Sequence, residues 1–379
     1  MTIPLIESMY EDNLRRVSES LFRGTSLYNG APGVDFSGNS YLNLQNCREV
    51  AEEAACFANG QLFGNMASRL VSQSSPLCDE LERALAGWKR CESALVFNSG
   101  YAANTGIIQA VCSRGADIFC DRLNHASIVN GCLLSGAKLL RYRHNDMSHL
   151  EELLSGSSSP KKLIVTDSVF SMDGDRAPLV DICELGRRYC CAVMVDEAHA
   201  TGIFGERASG LVEACGVEDG VQIRVGTLSK AAAGLGGFFA GNKDIREYLV
   251  NNAAPLIYST ALPHSAIAYD LAAVRYIKKN PQLGKSLLDK AAKLRGALSE
   301  AGWDCMDSTT QIVPVLTGSP EKALELSSYL KNNNISAPAI RTPTVPKGTD
   351  RIRFSVHLGI GDEEIESLSL IMKEYRQNV

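Results

Sequence analysis

No run of apolar residues in this chain reaches the roughly 18 that a membrane-spanning helix needs. No block of like charge is present either. The 38 basic and 43 acidic side chains are interspersed and leave a net charge of −5, which argues against nucleic acid or a membrane surface as the main partner. The twelve cysteines contain no C-x-x-C spacing. They are scattered, often inside apolar stretches, with Cys190-Cys191 adjacent. They read as reduced, mostly buried thiols, and a disulfide framework and a metal site are both disfavoured. The amino terminus, Met-Thr-Ile-Pro-Leu-Ile-Glu-Ser, carries an acid early and lacks the basic-then-apolar order of an export signal, so a cytoplasmic protein is expected. Internal repeats are absent, and low-complexity sequence is confined to Ser155–Pro160.

What is present is an ordinary globular composition, 45% hydrophobic and 21% charged, in a chain of 379 residues. That length is too great for one small core, so at least two domains are expected. Residues 1–45 hold a polar helical stretch around Tyr10 to Arg23, a turn through Tyr28–Gly33 and a short strand after Val34; they read as an arm lying on something else. Residues 46–275 alternate short β runs with helical runs, the pattern of an α/β domain with a mostly parallel sheet. Seven strands are expected there: Ala94–Phe97, Ile118–Asp121, Leu139–Tyr142, Leu163–Thr166, Ala192–Val195, Val221–Val225 and Gly237–Ala240. Residues 276–379 read as a small α+β domain, with helices from Leu283 and Glu321, strands Ile312–Leu316 and Arg351–Val356, an irregular loop from Pro338 to Gly348, and a last helix opened by Asp362.

Several strands of the larger domain end in polar residues, and in open α/β sheets ligands sit beyond the carboxyl ends of the strands. Val225-Gly226-Thr227-Leu228-Ser229-Lys230 ends an apolar strand in two hydroxyls and a lysine, and the small-residue run to Gly237 lets a ligand approach the backbone. An amine in that setting can lose its proton and form a Schiff base with a carbonyl. The same lysine also fits a plain solvated strand end. Val193-Met194-Val195-Asp196-Glu197-Ala198-His199 brings an acid out of a buried strand, where it needs a cationic or donor partner, or caps the segment that follows. Asn98-Ser99-Gly100-Tyr101 is a turn into a helix start, whose free amides bind phosphate readily. His125 follows another strand, as a flat cover for a heterocycle or as a structural histidine. The segment from Asp167 to Leu179 is a long polar excursion at the same edge of the sheet. Gly234-x-Gly236-Gly237 is not the G-x-G-x-x-G spacing, and no acid closes a second strand at the required distance, which disfavours a dinucleotide site.

With these segments in this order, from Asn39 to Arg353, the chain resembles the α-oxoamine synthases, pyridoxal-phosphate (PLP) enzymes of the aspartate-aminotransferase fold, fold type I. The resemblance implies that Lys230 carries PLP as a Schiff base and then acts as the base on the amino acid. It implies that Asp196 pairs with the pyridine nitrogen, that His125 stacks on the ring, and that His199 and Ser171 contact the ring hydroxyl. Ser99, Gly100, Tyr101 and Thr227 would hold the phosphate, with Ser259 and Thr260 supplied by a second subunit of a homodimer. Asn39 and Arg353 would meet the amino acid, the arginine as a fork for its carboxylate, while Thr344 and Arg23 would touch the acyl substrate. No metal is implied.

Within the family, Ser171-Met172-Asp173-Gly174-Asp175-Arg176-Ala177-Pro178-Leu179, Tyr258-Ser259-Thr260 and Ala339-Ile340-Arg341-Thr342-Pro343-Thr344-Val345-Pro346 look like the biotin-pathway members. Those join L-alanine to a pimeloyl thioester, of CoA or a carrier protein, with loss of carbon dioxide. The stretch from Phe63 to Gln73 departs from the glycine-rich G-S-G-G-S-R-x-x-x-G loop usual there, at Asn65, Met66, Ala67 and Gln73. Met66-Ala67-Ser68 looks more like the members that join glycine to an acetyl group. Cys78 stands where histidine is usual, and His264 where a second proline is common. The departures leave open glycine with an acetyl group, serine with a long acyl chain, an aminoketone-signal synthase, or a PLP-binding paralogue without activity.

Overall fold

A computed structural model describes residues 3–24, 33–60, 64–72 and 75–378. Of the turn expected through Tyr28–Gly33, all but Gly33 lies outside the described residues, as do the loop positions Phe63 and Gln73.

The strands are β1 (Val34–Asp35), β2 (Ser93–Phe97), β3 (Ala116–Asp121), β4 (Lys138–Tyr142), β5 (Lys161–Asp167), β6 (Ala192–Asp196), β7 (Ile223–Thr227), β8 (Gly237–Gly241), β9 (Ile312–Leu316), β10 (Ile335–Ser336), β11 (Ala339–Ile340) and β12 (Arg351–Ser355). Seven form one sheet in the order β2-β8-β7-β6-β5-β3-β4. Only β8 runs against the rest, pairing antiparallel with both β7 and β2. These are the seven strands expected from the sequence, each within a residue or two of its predicted bounds.

Period-2 side-chain alternation explains why the sheet is covered on both faces. Along β6, Val193 and Val195 enter the core shared with Trp88, Phe119 and Phe238, while Met194 enters the other, with Phe97, Ile107, Ile118 and Phe239. Each such side chain contributes about 1.5–3 kcal/mol when fully buried. Helices Gly100–Val111 and Ala126–Ser135 close the second face. The first face runs on into the carboxyl-terminal region, where β11-β12-β9 forms a separate antiparallel sheet, with β11 inside the loop expected from Pro338 to Gly348.

Two departures from the sequence reading are informative. The first helix spans Pro4–Ser18 rather than Tyr10 to Arg23, begun by Pro4 in its first turn and ended before Ser20, whose φ is 57°. It buries no residue, so the sequence carried no core-facing stripe to locate it. The arm is tied to the far end of the chain: β1 pairs in parallel with β10, and the Ser355 and Leu358 amides donate to the carbonyls of Phe36 and Tyr41.

Candidate active site

The carboxyl ends of β2, β3, β5, β6 and β7 converge as the sequence predicts. Beyond β7 the chain turns tightly: Leu228 N donates to Gly236 O (3.0 Å) and Gly234 N to Leu228 O (2.8 Å), with Ala233 at a φ of 56°. This turn presents Lys230 to the crevice. Its Nζ meets His199 Nε2 at 2.8 Å, and His199 Nδ1 meets the Tyr41 hydroxyl at 2.7 Å. Tyr41 donates to Asn39 Oδ1 (3.1 Å), and Arg353 Nη2 donates to the same oxygen (3.1 Å). Arg353 is further fixed through Nε to Ser171 O (2.5 Å) and through Nη1 to Ser355 Oγ (2.7 Å). Lys230, His199, Asn39, Ser171 and Arg353, far apart in sequence, therefore form one connected set.

A second set lies beside it. Asp167 and Asp196 are register partners at the ends of β5 and β6, and both are buried. Both oxygens of Asp196 accept hydrogen bonds, from Ala198 N (2.7 Å) and from Asn104 Nδ2 (2.6 Å). No regular helix follows Asp196, so the acid does not act as a helix cap. Asn104 also donates to Ser127 Oγ (2.9 Å), which meets His125 Nδ1 at 2.7 Å. The His125 amide donates to Asp167 Oδ2 (2.7 Å).

The electrostatics favour neutral bases. Burial pushes Lys230 down to about 8, with Arg353 adding to the effect and Asp196 and Asp167 opposing it. Burial, then Lys230 and Arg353, holds His199 well below the ordinary imidazole value, and burial lowers His125. Asp167 is raised well above the usual carboxylate range by burial first and by Asp196 second. The pattern is that of an acid–base site in which burial and a neighbouring acid make the Asp167 carboxyl hold its proton more readily than an exposed one.

The cradle fits PLP. Ser99 caps helix Gly100–Val111 by accepting from Ala102 N (3.0 Å), and the Gly100 and Tyr101 amides have no hydrogen-bond partner among the described residues, which suits a phosphate. A methyl group added at Gly100 would lie 3.4 Å from Thr227 Cβ, so the two phosphate candidates are neighbours. The Asn104 Oδ1 atom is buried without a partner beside Asp196, and an amine near 8 is a competent Schiff-base former.

Among the described residues, Ser259 and Thr260 form no hydrogen bond with Lys230; the Thr260 carbonyl accepts from Asn98 Nδ2 (2.5 Å). Arg23 and Thr344 meet each other (2.5 Å) at a cavity of ≈130 Å³ that is also lined by Arg341. A larger cavity of ≈620 Å³, against Arg187, Cys190 and Gln222, touches none of these residues. The sequence reading missed the parts played by Tyr41, Asn104, Ser127 and Asp167. Asp167 had a signal, an acid closing an apolar strand exactly as Asp196 does; Asn104 had none beyond its place one turn into the helix.

Comparison with known proteins finds relatives over most of the chain. The aminotransferase class I and II family profile matches residues 31–369. The 8-amino-7-oxononanoate synthase of Trichlorobacter lovleyi is 43% identical over 366 residues, covering 95% of this chain and 94% of that protein. The enzyme of the same name from Pelobacter propionicus is 44% identical, covering 91% and 92%. Among solved structures, a serine palmitoyltransferase from S. paucimobilis with bound PLP–myriocin superposes with a TM-score of 0.92 at 25% identity, covering 100% of this chain and 99% of that one. The 8-amino-7-oxononanoate synthase of Francisella tularensis superposes with a TM-score of 0.80 at 25% identity, covering 91% and 98%.

Proposed function

The chain belongs to the aminotransferase class I and II family, and from that premise we propose that it is an 8-amino-7-oxononanoate synthase. It is a PLP-dependent acyltransferase of the fold type I class. It condenses L-alanine with a pimeloyl thioester, releasing carbon dioxide and the free thiol, a step of biotin synthesis. The curated relatives at 43% and 44% identity weigh more for the substrate pair than the serine palmitoyltransferase at 25%, whose likeness is mainly one of backbone.

When bound, PLP supplies an electron sink for the carbon next to the amino group of the amino acid. In our reading Asp196 faces the ring nitrogen and His125 covers the ring. The amides of Gly100 and Tyr101, with Thr227 and the Ser99 cap, hold the phosphate. Arg353, oriented by Asn39, Ser171 and Ser355, takes the amino-acid carboxylate as a fork. Lys230, with its proton loosely held, removes the proton from the α-carbon. Neutral His199 accepts from the amine at 2.8 Å and passes the contact on to Tyr41. Arg23 and Thr344 receive the acyl group.

The observation that carries the reading is the Lys230–His199–Tyr41–Asn39–Arg353 chain, which joins a weak base to a carboxylate fork. Purified protein given PLP, L-alanine and pimeloyl-CoA is expected to release free thiol and carbon dioxide in equal amounts. Turnover with glycine and acetyl-CoA alone would overturn the named reaction.

We also propose a homodimer, with Ser259 and Thr260 reaching the partner's site. Supporting it, helix Pro4–Ser18 exposes Leu5, Ile6, Met9, Tyr10, Leu14 and Val17, and Tyr258 is 83% exposed. A sedimentation mass of one chain at every concentration would remove this part. The division into an arm (1–45), a large domain (46–275) and a small domain (276–379) is supported by the separate sheet formed by β9, β11 and β12. Among the described residues no helix is long and apolar enough to cross a membrane. A cytoplasmic location is our reading, supported by twelve free thiols.

A further inference from the structure

Outside the residues assigned above, His144 is the side chain most firmly tied to acids at the edge of the crevice. It lies in the turn after β4. Its Nδ1 is 3.0 Å from Asp121 Oδ1, its Nε2 is 2.8 Å from Asp175 Oδ2, and its ring meets Phe170 edge-on with centroids 4.4 Å apart. A ring with a carboxylate at each nitrogen donates from both and is a cation. Burial opposes the charge, but the hydrogen bonds to Asp121 and Asp175 outweigh it and push the pKa up to about 10.

The two acids belong to different parts of the site. Asp121 closes β3, fully buried, and also accepts from Leu123 N (2.8 Å) and Asn145 N (2.9 Å), just ahead of His125. Asp175 belongs to the excursion after β5. There Phe170 N donates to Asp175 O (3.1 Å) and Gly174 N to Phe170 O (2.9 Å), closing a compact loop. The far side of that loop is gripped by the carboxyl-terminal region. Arg353 Nε donates to Ser171 O (2.5 Å), Arg351 Nη1 to Asp173 Oδ1 (2.7 Å), and Thr310 Oγ1 to Gly174 O (2.9 Å). The loop thus has His144 on one side and the carboxylate fork on the other.

We propose that His144 is a positioning residue for recognition of the amino-acid carboxylate: it fastens the Phe170–Asp175 loop to the end of β3, and the loop in turn aims Arg353. The proposal rests on the reading of Arg353 as that fork. Every nitrogen of Arg353 already has a partner, and one of those partners is the loop's own Ser171 carbonyl. A loop released from β3 therefore turns the guanidinium plane. Bidentate recognition of a carboxylate depends on that plane, and a misplacement of about 1 Å costs on the order of 10²-fold.

The test is a thermodynamic cycle read by binding of the amino acid, with steady-state KM values as the control. L-alanine, and glycine in parallel, is titrated into the PLP-loaded protein without acyl donor, and Kd is taken from the absorbance change. His144→Gln keeps one donor and loses the charge. It is expected to raise the amino-acid Kd about tenfold, leave the KM of the acyl thioester within about twofold, and have little further effect in an Arg353→Lys background. Non-additivity of that kind marks residues acting through one another. Equal loss in both backgrounds, or a parallel rise in both substrates' KM, would overturn the proposal and mark His144 as a general brace. If Arg353→Lys itself leaves Kd unchanged, the fork assignment fails first, a result distinct from the failure of His144 alone. Asp175→Asn carries the same cycle if the histidine variant does not fold, with the melting temperature of the PLP-free protein as the check on folding.

Discussion

Two lysines flank the same pair of acids and are put to opposite uses. Lys89 reaches Glu197 Oε2 and Thr201 Oγ1, each at 2.8 Å, as well as the Ser209 carbonyl, and both it and Glu197 are 1% exposed. Lys230, on the side of Asp196, has a single close partner, the neutral ring of His199. One amine is matched by three acceptors, one of them a carboxylate. The other is buried beside a base and lets its proton go near pH 8. Asp196 and Glu197 are consecutive, so the end of one strand supplies the acid proposed for chemistry and, next to it, the acid that anchors Lys89. Reactivity follows from withheld pairing, and stability from complete pairing.

The comparison can be broken in four ways, from the largest effect down. Lys230→Ala should remove at least about 10²–10⁴-fold of the turnover while leaving the melting temperature close to that of the parent; an equal fall in both would mean that this lysine, too, is an anchor. Glu197→Gln should leave Lys89 buried without its counter-charge and cost about 3–5 kcal/mol in denaturant unfolding. Replacing both partners with apolar residues of similar volume should recover most of that, and a failure to recover would point to the Val212 amide, which Glu197 Oε1 also accepts (2.8 Å). The rate at which PLP attaches to the PLP-free protein should climb with pH through about 8 and then level, because only the unprotonated amine reacts; a midpoint near 10 would mean that Lys230 is as firmly protonated as an exposed lysine. Tyr41→Phe removes the hydroxyl that meets both His199 Nδ1 and Asn39 Oδ1 and should lower kcat/KM by about fivefold, equivalent to roughly 1 kcal/mol. A loss as large as that of Lys230→Ala would make the phenol a reacting group in its own right.

Much of this arrangement could be read along the chain, because an apolar run that ends in an acid or a lysine announces itself. Val193–Val195 before Asp196 and Val225 before Lys230 are such signals. What the sequence does not carry is strand order. That Asp167 faces Asp196 follows from β5 lying next to β6, a matter of how the crossovers pack. His144 was invisible for a similar reason, since its two acids stand 23 and 31 residues away and no local period links them. The first helix was misplaced because a segment that buries nothing obeys no packing rule within its own chain.

The pairing of β1 with β10, and of the Phe36 and Tyr41 carbonyls with amides beyond residue 354, also sets an order of assembly during synthesis. A nascent chain that has left the ribosome as far as residue 300 already holds Lys230, Asp196, His125 and His199, yet Asn39 and Tyr41 have no strand to lie against until the last eighth of the polypeptide emerges. If Asn39 and Arg353 receive the amino acid as proposed, the substrate-facing side is the last part of the site to assemble, after the strands that carry Lys230 and Asp196 have been made.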